Sequence, residues 1–420
     1  MVSDFLADRH RLQKAVKGIT VWWMWFAKAV TGGNDSPFLS LRKRNKQKHN
    51  FTEPIFLEVP SFLCVSMEIV QNQSPTLPEE MIFEVLTRVT YETLKQCRLT
   101  CKRWNHLTYG STFIHLHCQR TGMVNGYFIQ AFEKYRKNSV FICQDSSLLV
   151  HESPSLGFLP ERVKIEAISN EGLVYCVSSG YNGVKPRYYV CKPTTKEWVK
   201  MPNPKTKFLT YKTAMILLQS KPLHYKIVRF SEPQYRQSRR YFIILCEIFD
   251  SASGVWKWAK DIKLAMPDFL NDGVAVYAKG AIHWLTNCGK ILAFDVRSEK
   301  WKLISLPKQL VDDNYESCSK KLVQHEGKLA ILYEKGVKLE IWVMENYFRE
   351  AWKIEEVVVN SYGSVIDLFA NDVALVLGYD TVTWYNFHGG NSTKCKVHRY
   401  FYPHNVFPFN SDFEPVFLSG

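Results

Sequence analysis

The stretch "LPEEMIFEVLTRVTYETLKQCRLTCKRWNHL", residues 77–107, carries the apolar spacing of short helices and decides how the rest of the chain is interpreted. Pro78 suits a first helical turn, because its missing N–H has no intrahelical partner there. Glu79 and Glu80 then lie at the positive end of the helix dipole. Apolar residues recur at helical spacing, first at Ile82, Val85, Leu86 and Val89 and then at Leu94, Cys97, Cys101 and Trp104. The pattern predicts two helical stripes, the second carried by one helix or divided between two.

The segment "LTCKRWNHL", residues 99–107, is compatible with metal chemistry, nucleic-acid contact or one face of a small helix. Cys97 and Cys101, followed by His115 and His117, mimic a Cys₂His₂ zinc finger. Such a finger needs three to five residues between its histidines, whereas this chain has a single residue there. Both cysteines lie on the second apolar stripe, and a buried Cys behaves as a small hydrophobe. We therefore predict core packing and no metal site.

This stretch resembles the F-box motif, whose most specific parts are the Leu-Pro start and the Cys-Lys-x-Trp end. In that family the helices dock onto a Skp-type adaptor, which links them to the cullin of a ubiquitin ligase. The resemblance implies that eight residues form or brace this interface: Leu77, Pro78, Ile82, Leu86, Leu94, Cys101, Lys102 and Trp104. Two positions depart from the family pattern, since Thr90 replaces a common Pro and Thr100 replaces a usual aliphatic residue. So small a helical segment also needs a neighbouring domain or partner to cover its apolar surface.

Residues 119–420 consist of short runs rich in β-branched and aromatic residues, separated by turn signals, and predict an all-β region with few helices. The runs are "GLVYCVSS", "YYVCKP", "HYKIVRF", "RRYFIILCEIFD", "GAIHWLTN", "ILAFDV", "GKLAILYE", "LEIWVM" and "DVALVLGY". An internal repeat links them, in which a Gly opens an apolar strand and a Trp follows a later polar turn. Gly280 and Gly327 are 47 residues apart, a period that suits four-stranded propeller blades of the kelch type.

The Trp residues of this repeat, Trp198, Trp256, Trp301 and Trp352, are predicted to pack between neighbouring sheets, one in each blade. The repeat after an F-box resembles the kelch-type associated domain of plant F-box proteins, whose propeller-like region captures substrates. The predicted fold is therefore multidomain, α then all-β, with a small helical F-box followed by a β-propeller-like domain of about six degenerate blades.

Two segments rich in Tyr and Arg, residues 178–189 and 231–240, are candidates for target binding because these residue types are enriched at interface anchors. The candidate residues are Tyr181, Arg187, Tyr235 and Arg236. The alternative, that both segments are solvated connections between strands, stays open.

The net charge of +14 is unevenly distributed, since residues 1–50 contain ten Lys/Arg and three Asp and so carry half of it. The diffuse remainder favours solubility and acidic partners over a nucleic-acid groove.

The uncharged run "GITVWWMWFA", residues 18–27, is too short to span a bilayer as a helix. The alternatives for this run are a signal peptide and an interfacial helix. The alternatives for the basic run that follows it are a nuclear address and a solvated linker. Eleven scattered cysteines without a CxxC pair favour a reducing compartment, hence nucleus or cytoplasm.

The predicted organisation is a disordered, basic and Trp-rich extension at 1–70, an F-box helical domain at 71–118 and the propeller-like domain at 119–420. Common nucleophile, nucleotide and metalloprotease motifs are absent from the sequence, which predicts a protein that is not an enzyme and binds no cofactor. The hypothesis is a substrate-recognition subunit of a Skp–cullin–F-box ligase, with a Skp-type adaptor, a cullin and a protein substrate as partners. A freestanding kelch-like interaction scaffold is the alternative.

Overall fold

A computed structural model gives the fold of the chain and describes residues 78–133, 136–144, 153–178, 185–233, 240–311, 318–359, 363–378, 381–396 and 402–418. The predicted extension at 1–70 lies outside these residues. Within them, a helical unit is followed by a long series of strands, so the predicted order of an α part and an all-β part is confirmed. Among the described helices, none is both long and apolar enough to cross a lipid bilayer.

The helical unit contains α1 (Glu79–Leu86), α2 (Tyr91–Arg98), α3 (Lys102–Leu107) and α4 (Ser111–Thr121). The second apolar stripe is divided between α2 and α3. Pro78 precedes α1 and two glutamates occupy its first turn, as the sequence predicts. Helix α4 ends at Gly122, whose φ of 73° places it in the left-handed conformation that commonly terminates helices.

One small apolar core holds the four helices together. Leu86, Val89, Leu94 and Phe113 are buried in it, and these residues come from α1, α2, α4 and the turn between α1 and α2. Partly buried residues pack around them: Ile82, Phe83, Tyr91, Cys97, Trp104 and Leu107. Both predicted stripes therefore face this common core.

The described strands form six antiparallel sheets. The first sheet has the order β2-β1-β24 and consists of β1 (Val124–Glu133), β2 (Arg136–Ile142) and β24 (Tyr402–Ser411). The second consists of β3 (Val163–Ile168), β4 (Val174–Ser178), β5 (Tyr188–Lys192) and β6 (Glu197–Met201). The third consists of β7 (Thr210–Gln219), β8 (His224–Ser231), β9 (Tyr241–Asp250) and β10 (Val255–Trp258), with β11 (Ile262–Ala265) also paired to β9.

The other three sheets each have four strands in sequence order. The fourth consists of β12 (Val276–Ala278), β13 (Ala281–Leu285), β14 (Lys290–Asp295) and β15 (Lys300–Ser305). A short helix, α5 (Lys308–Val311), leads to the fifth, which consists of β16 (Cys318–His325), β17 (Lys328–Lys335), β18 (Lys338–Asn346) and β19 (Ala351–Val359). The sixth consists of β20 (Ser364–Leu368), β21 (Val373–Leu377), β22 (Thr381–Asn386) and β23 (Ser392–Lys396).

Six apolar clusters join these sheets into a closed ring, because each cluster draws residues from two neighbouring sheets and the last returns to the first. The representative pairs, from the first sheet around to the first again, are Phe128 with Val174, Tyr175 with Ile227, Phe230 with Trp284, Ile291 with Ile331, Ile341 with Val376, and Trp384 with Ile129. Middle strands such as β5 and β13 are buried along their whole length, which explains their mainly apolar sequence. The architecture is a six-blade β-propeller, as predicted.

The ring closes through strands from opposite ends of the domain. In the first sheet β24 pairs with β1, with Phe407 opposite Phe128. The first blade therefore forms only when the C-terminal strand returns to the N-terminal one, and sequence periodicity alone does not indicate this pairing.

The repeat in the sequence corresponds to a fixed position in the blades. All four predicted Trp residues lie on the fourth strand of their sheets, and Trp256, Trp301 and Trp352 pack into clusters between sheets as predicted. The prediction is wrong for Trp198, which is 43% exposed and contacts Tyr189 edge to face at 5.7 Å. Gly280 and Gly327 have positive φ in two-residue hairpin turns, which explains why a Gly precedes each apolar strand.

Candidate functional site

The predicted adaptor-binding residues separate into a buried group and an accessible group. Leu86 and Leu94 are 3% and 2% exposed and lie in the core of the helical unit, so they brace the motif and leave no surface for a partner. Pro78 and Lys102 are exposed, whereas Ile82, Cys101 and Trp104 are half-buried. Leu77 lies outside the described residues.

The accessible residues come together where α1 and α3 begin. The guanidinium of Arg103 on α3 donates hydrogen bonds to the carboxylate of Glu79 on α1, and this bond lowers the pKa of Glu79. Pro78 and Lys102 are the chain neighbours of this pair. One continuous surface therefore contains the Leu-Pro end and the Cys-Lys-x-Trp end of the motif.

Met81 adds an apolar side chain to this surface, and sequence reasoning missed it. Its side chain is 53% exposed, and it lies one helical turn from both Pro78 and Val85. The signal was available in the sequence, because Met81 is apolar and lies four positions before Val85 of the first stripe. We call Pro78, Met81, Ile82, Lys102 and Trp104 the motif face.

The two cysteines do not form a metal site. Cys97 packs against the helical core, and burial raises the pKa of its thiol. Cys101 is the N-cap of α3, and its Sγ accepts a hydrogen bond from the backbone N of Trp104 at 3.5 Å. His117 is buried with Nε2 3.0 Å from the carbonyl O of Val89, whereas His115 is exposed on the same helix. The prediction that these cysteines serve packing holds for Cys97, whereas Cys101 caps a helix.

The two departures from the family pattern have local structural roles. Thr90 is the N-cap of α2, and its Oγ1 accepts a hydrogen bond from the backbone N of Thr93 at 3.4 Å. Thr100 donates its hydroxyl to the carbonyl O of Cys97 at 2.7 Å. A Thr at position 90 thus starts the second helix where a Pro commonly ends the first.

A different side of the helical unit rests on the propeller. Three turns between the first and second strands of blades contact it. Glu171 accepts a hydrogen bond from Lys95 at 2.6 Å, and Glu326 lies 2.5 Å from Nδ1 of His106. Asp372 accepts hydrogen bonds from both the backbone N and the hydroxyl of Ser111, at 2.9 and 2.6 Å. The propeller therefore covers part of the helical surface, as the small size of the unit predicts.

A group of metal-type ligands lies beside one of these contacts. Among the described residues, oxygen and nitrogen atoms of His325, Glu326 and Glu355 lie within 4.8 Å of one another. Protein groups already engage them, since Glu326 contacts His106 and Asn371, and His325 lies 3.6 Å from Glu355. The arrangement serves the contact between the helical unit and the propeller.

The propeller surrounds a central channel with a volume of about 1190 Å³. Its walls are the strands β3, β7, β12, β16, β20 and β24, and residues of the helical unit such as Lys95 and Tyr109 line one end. The helical unit therefore lies across one mouth of the channel. In the second to sixth blades the first strand begins at the other mouth and runs toward the helices, since the turns after β3, β16 and β20 contact the helical unit.

The predicted target-binding residues are only partly described. Tyr181, Tyr235 and Arg236 lie outside the described residues, so they stay predictions. Arg187 is exposed at the start of β5, and it donates a hydrogen bond to Glu161 at 2.7 Å. Tyr188 and Tyr189, which ended the proposed segment, are buried strand residues of the blade core. The segments join second to third strands, so their described ends lie on the side away from the helices.

Comparisons with known proteins agree with this architecture. The chain matches the family described as F-box associated beta propeller domain over residues 132–381 and the family described as F-box-like over residues 75–120. F-box protein At5g49610 of Arabidopsis thaliana is 30% identical over 295 residues, covering 68% of this chain and 80% of that protein. F-box protein At5g41720 is 32% identical over 174 residues, covering 39% and 90%. F-box/kelch-repeat protein At4g33290 is 26% identical over 294 residues, covering 64% of this chain and 65% of that protein. These last two proteins are also from Arabidopsis thaliana.

Proposed function

Because this chain belongs to the F-box proteins that carry an associated β-propeller domain, we propose that it is a substrate-recognition subunit of a Skp–cullin–F-box ubiquitin ligase. Proteins with this combination of domains are typically adaptors without enzymatic activity. The F-box implies binding of a Skp-type adaptor, and the propeller would hold the protein to be modified. We also propose a nuclear or cytoplasmic location, supported by the free thiols of ten described cysteines.

The observation that carries the proposal is the division of the helical unit into two sides. Lys95, His106 and Ser111 face the propeller, whereas the motif face stays accessible with Met81 exposed. Met81 is an apolar side chain of this face that a docked partner would bury. The motif face therefore fits the docking of a Skp-type adaptor.

The propeller supports the second half of the proposal. It is a rigid ring whose far side is free of the helical unit, so a bound target and a bound adaptor do not compete for the same surface. Holding both on one chain converts ubiquitin transfer into an effectively intramolecular step. Catalysis belongs to the partner enzymes.

The test replaces an exposed residue, because a charge at Leu86 or Leu94 would unfold the helical core. Met81→Glu places a carboxylate in the motif face without disturbing buried residues, and recovery of a purified Skp-type adaptor in a pull-down should fall at least about tenfold. Val337→Glu is the matched control, since Val337 is an exposed apolar residue, 62% accessible, on the propeller. This control should recover the adaptor normally.

Thermal unfolding followed by circular dichroism checks that both variants fold. Wild-type recovery by a folded Met81→Glu variant would exclude the motif face as the docking surface. If even the unmodified chain recovers no adaptor, the alternative of a freestanding interaction scaffold is favoured.

A further inference from the structure

Lysine side chains line the open end of the channel. Lys164 on β3, Lys212 on β7 and Lys320 on β16 all line the channel in the first half of their strands, hence near the mouth away from the helical unit. We call the opening defined by these three residues the distal mouth. The lysines come from three different blades, so only the closed ring brings them to one opening.

Two of these lysines have no ion-pair partner among the residues that the structure describes. Lys164 is paired with Glu166 at 2.8 Å. By contrast, Nζ of Lys212 lies 3.4 Å from the carbonyl O of Gly273 and makes no ion pair with a described residue, and burial lowers the pKa of this amine, a shift that the nearby carboxylate of Asp272 opposes. Nζ of Lys320 lies 5.8 Å from the ring centre of Tyr333. A partly buried ammonium that makes no direct ion pair is incompletely compensated, and an anion supplied from outside would stabilise it.

A buried hydroxyl at the same place also lacks a partner. Thr213 follows Lys212 on β7, is only 8% exposed and lines the channel. Its Oγ1 makes no hydrogen bond to any described residue. Because buried polar groups are normally hydrogen-bonded, this hydroxyl is available to a polar ligand in the channel.

The surface around the distal mouth carries further cations. Lys185, Lys205 and Lys207 are exposed on the connections beside it, Arg187 is paired there with Glu161 at 2.7 Å, and Asp272 is an acidic residue of the channel wall. On the opposite side, the turn residues Glu171, Glu326 and Asp372 are acidic and already engaged with the helical unit. At the helical end the cation Lys95 is thus paired with Glu171, whereas Lys212 and Lys320 at the open end make no ion pair with described residues, and the low-dielectric walls strengthen their attraction for an anion.

We propose that the distal mouth docks an acidic peptide segment of the target protein, with carboxylates against Lys212 and Lys320. This proposal rests on the proposed function, in which the propeller holds the target. Charge-assisted hydrogen bonds from the two ammonium groups would fix the segment at the opening, and Thr213 Oγ1 would donate a further one. The lysines converge on one opening, whereas a nucleic-acid backbone requires cations spread along an extended groove.

The test measures binding of a fluorescein-labelled peptide of alternating Glu and Asp to the full chain by fluorescence anisotropy. The wild type should bind this probe and ignore a peptide of alternating Gln and Asn, and raising the salt from roughly 50 to roughly 500 mM should weaken binding. Lys212→Glu/Lys320→Glu should weaken it at least about tenfold, because two attractive contacts become repulsive.

The matched control is Lys200→Glu/Lys300→Glu, which makes the same change in net charge at exposed positions on the outer strands β6 and β15. It should alter the dissociation constant by less than about twofold. Lys212→Gln/Lys320→Gln should give an intermediate loss, and it keeps the test valid if the Glu variant fails to fold. Equal losses in the mouth and control variants, or no binding by the wild type, would overturn the proposal. Full displacement of the peptide by a single-stranded RNA oligonucleotide would overturn it in favour of a nucleic-acid site.

Adaptor recovery by the same proteins distinguishes this proposal from the one it rests on. All lysine variants should recover the Skp-type adaptor normally, because the motif face is unchanged. A chain that binds the acidic peptide but recovers no adaptor contradicts the ligase role alone. A chain that recovers the adaptor but ignores the peptide contradicts the docking site alone.

Discussion

Asp372 attaches the helical unit to the propeller, and its replacement gives a direct test of that attachment. Helix α4 has Gly110 as its N-cap, which offers no side chain to the free backbone N–H groups. The carboxylate of Asp372, in the turn between β20 and β21, accepts hydrogen bonds from the backbone N and the hydroxyl of Ser111 instead. The propeller therefore caps a helix of the neighbouring unit.

Asp372→Ala removes this cap. Loss of an N-cap acceptor costs about 1 kcal/mol, and loss of a carboxylate at the positive end of the helix dipole costs about 0.5 kcal/mol more. The sum of about 1.5 kcal/mol corresponds to roughly tenfold faster opening of α4, if α4 opens locally. Hydrogen–deuterium exchange measured by mass spectrometry should show this acceleration for peptides covering Ser111–Thr121.

Asp295→Ala is the matched control, because Asp295 accepts the same two kinds of hydrogen bond from Ser298 inside one blade. It should leave exchange in α4 unchanged while accelerating exchange in its own turn. Equal protection of α4 in Asp372→Ala and wild type would refute the conclusion that the propeller caps this helix.

Two further predictions concern buried ionisable residues in the propeller. His283 is fully buried between the carbonyl O of Val276 and the hydroxyl of Tyr347, and burial lowers its pKa from 6.5 to about 4. The imidazole of His283 therefore takes up a proton at higher pH in the unfolded chain than in the folded chain. Neutral His283 contributes about 3 kcal/mol to the free energy of unfolding above pH 6.5, and this contribution is lost as the pH falls toward 4. In urea unfolding, His283→Gln should remove that part of the pH dependence, and identical slopes for both proteins would contradict the assignment. Arg229 and Glu247 form a buried ion pair at 2.6 Å, so Arg229→Met leaves the carboxylate of Glu247 without its partner and should lower the free energy of unfolding by about 3 kcal/mol. The double variant Arg229→Met/Glu247→Leu should restore much of this stability. Equal losses of stability in both variants would argue against an unpaired charge as the cause.

The sequence was sufficient for the features that depend on local periodicity. The helical stripes and the nine apolar runs correspond to helices and strands of the structure, because burial on one or both faces imposes a short repeat on the residues. The position of the Trp in four of the blades was also visible, since a fixed place in a repeat produces a fixed period. Trp198 shows the limit of that argument, because its place on β6 leaves it at the surface.

Features that depend on contacts distant in sequence could not be predicted. The pairing of β24 with β1 and the docking of Ser111 against Asp372 join residues more than 250 positions apart. The distal mouth is of the same kind, since Lys164, Lys212 and Lys320 share no local pattern and meet only when the ring closes. In the helical unit, periodicity identified which residues are apolar but not which of them face outward, so the exposed Met81 was missed, whereas Leu86 braces the motif from its core.

The contacts between the two parts of the chain bear on how a receptor of this kind could work. Glu171, Glu326 and Asp372 belong to three separate blades, and each holds a different helix or helix end of the helical unit. Three such attachments fix an orientation, whereas a single flexible linker would fix only a distance. On the proposed function, the motif face and the distal mouth therefore point in directions set by one rigid body. A target segment at the distal mouth would be presented to the ligase in a defined direction, so the position of its lysines relative to that segment, as well as its affinity, would determine which of them receive ubiquitin.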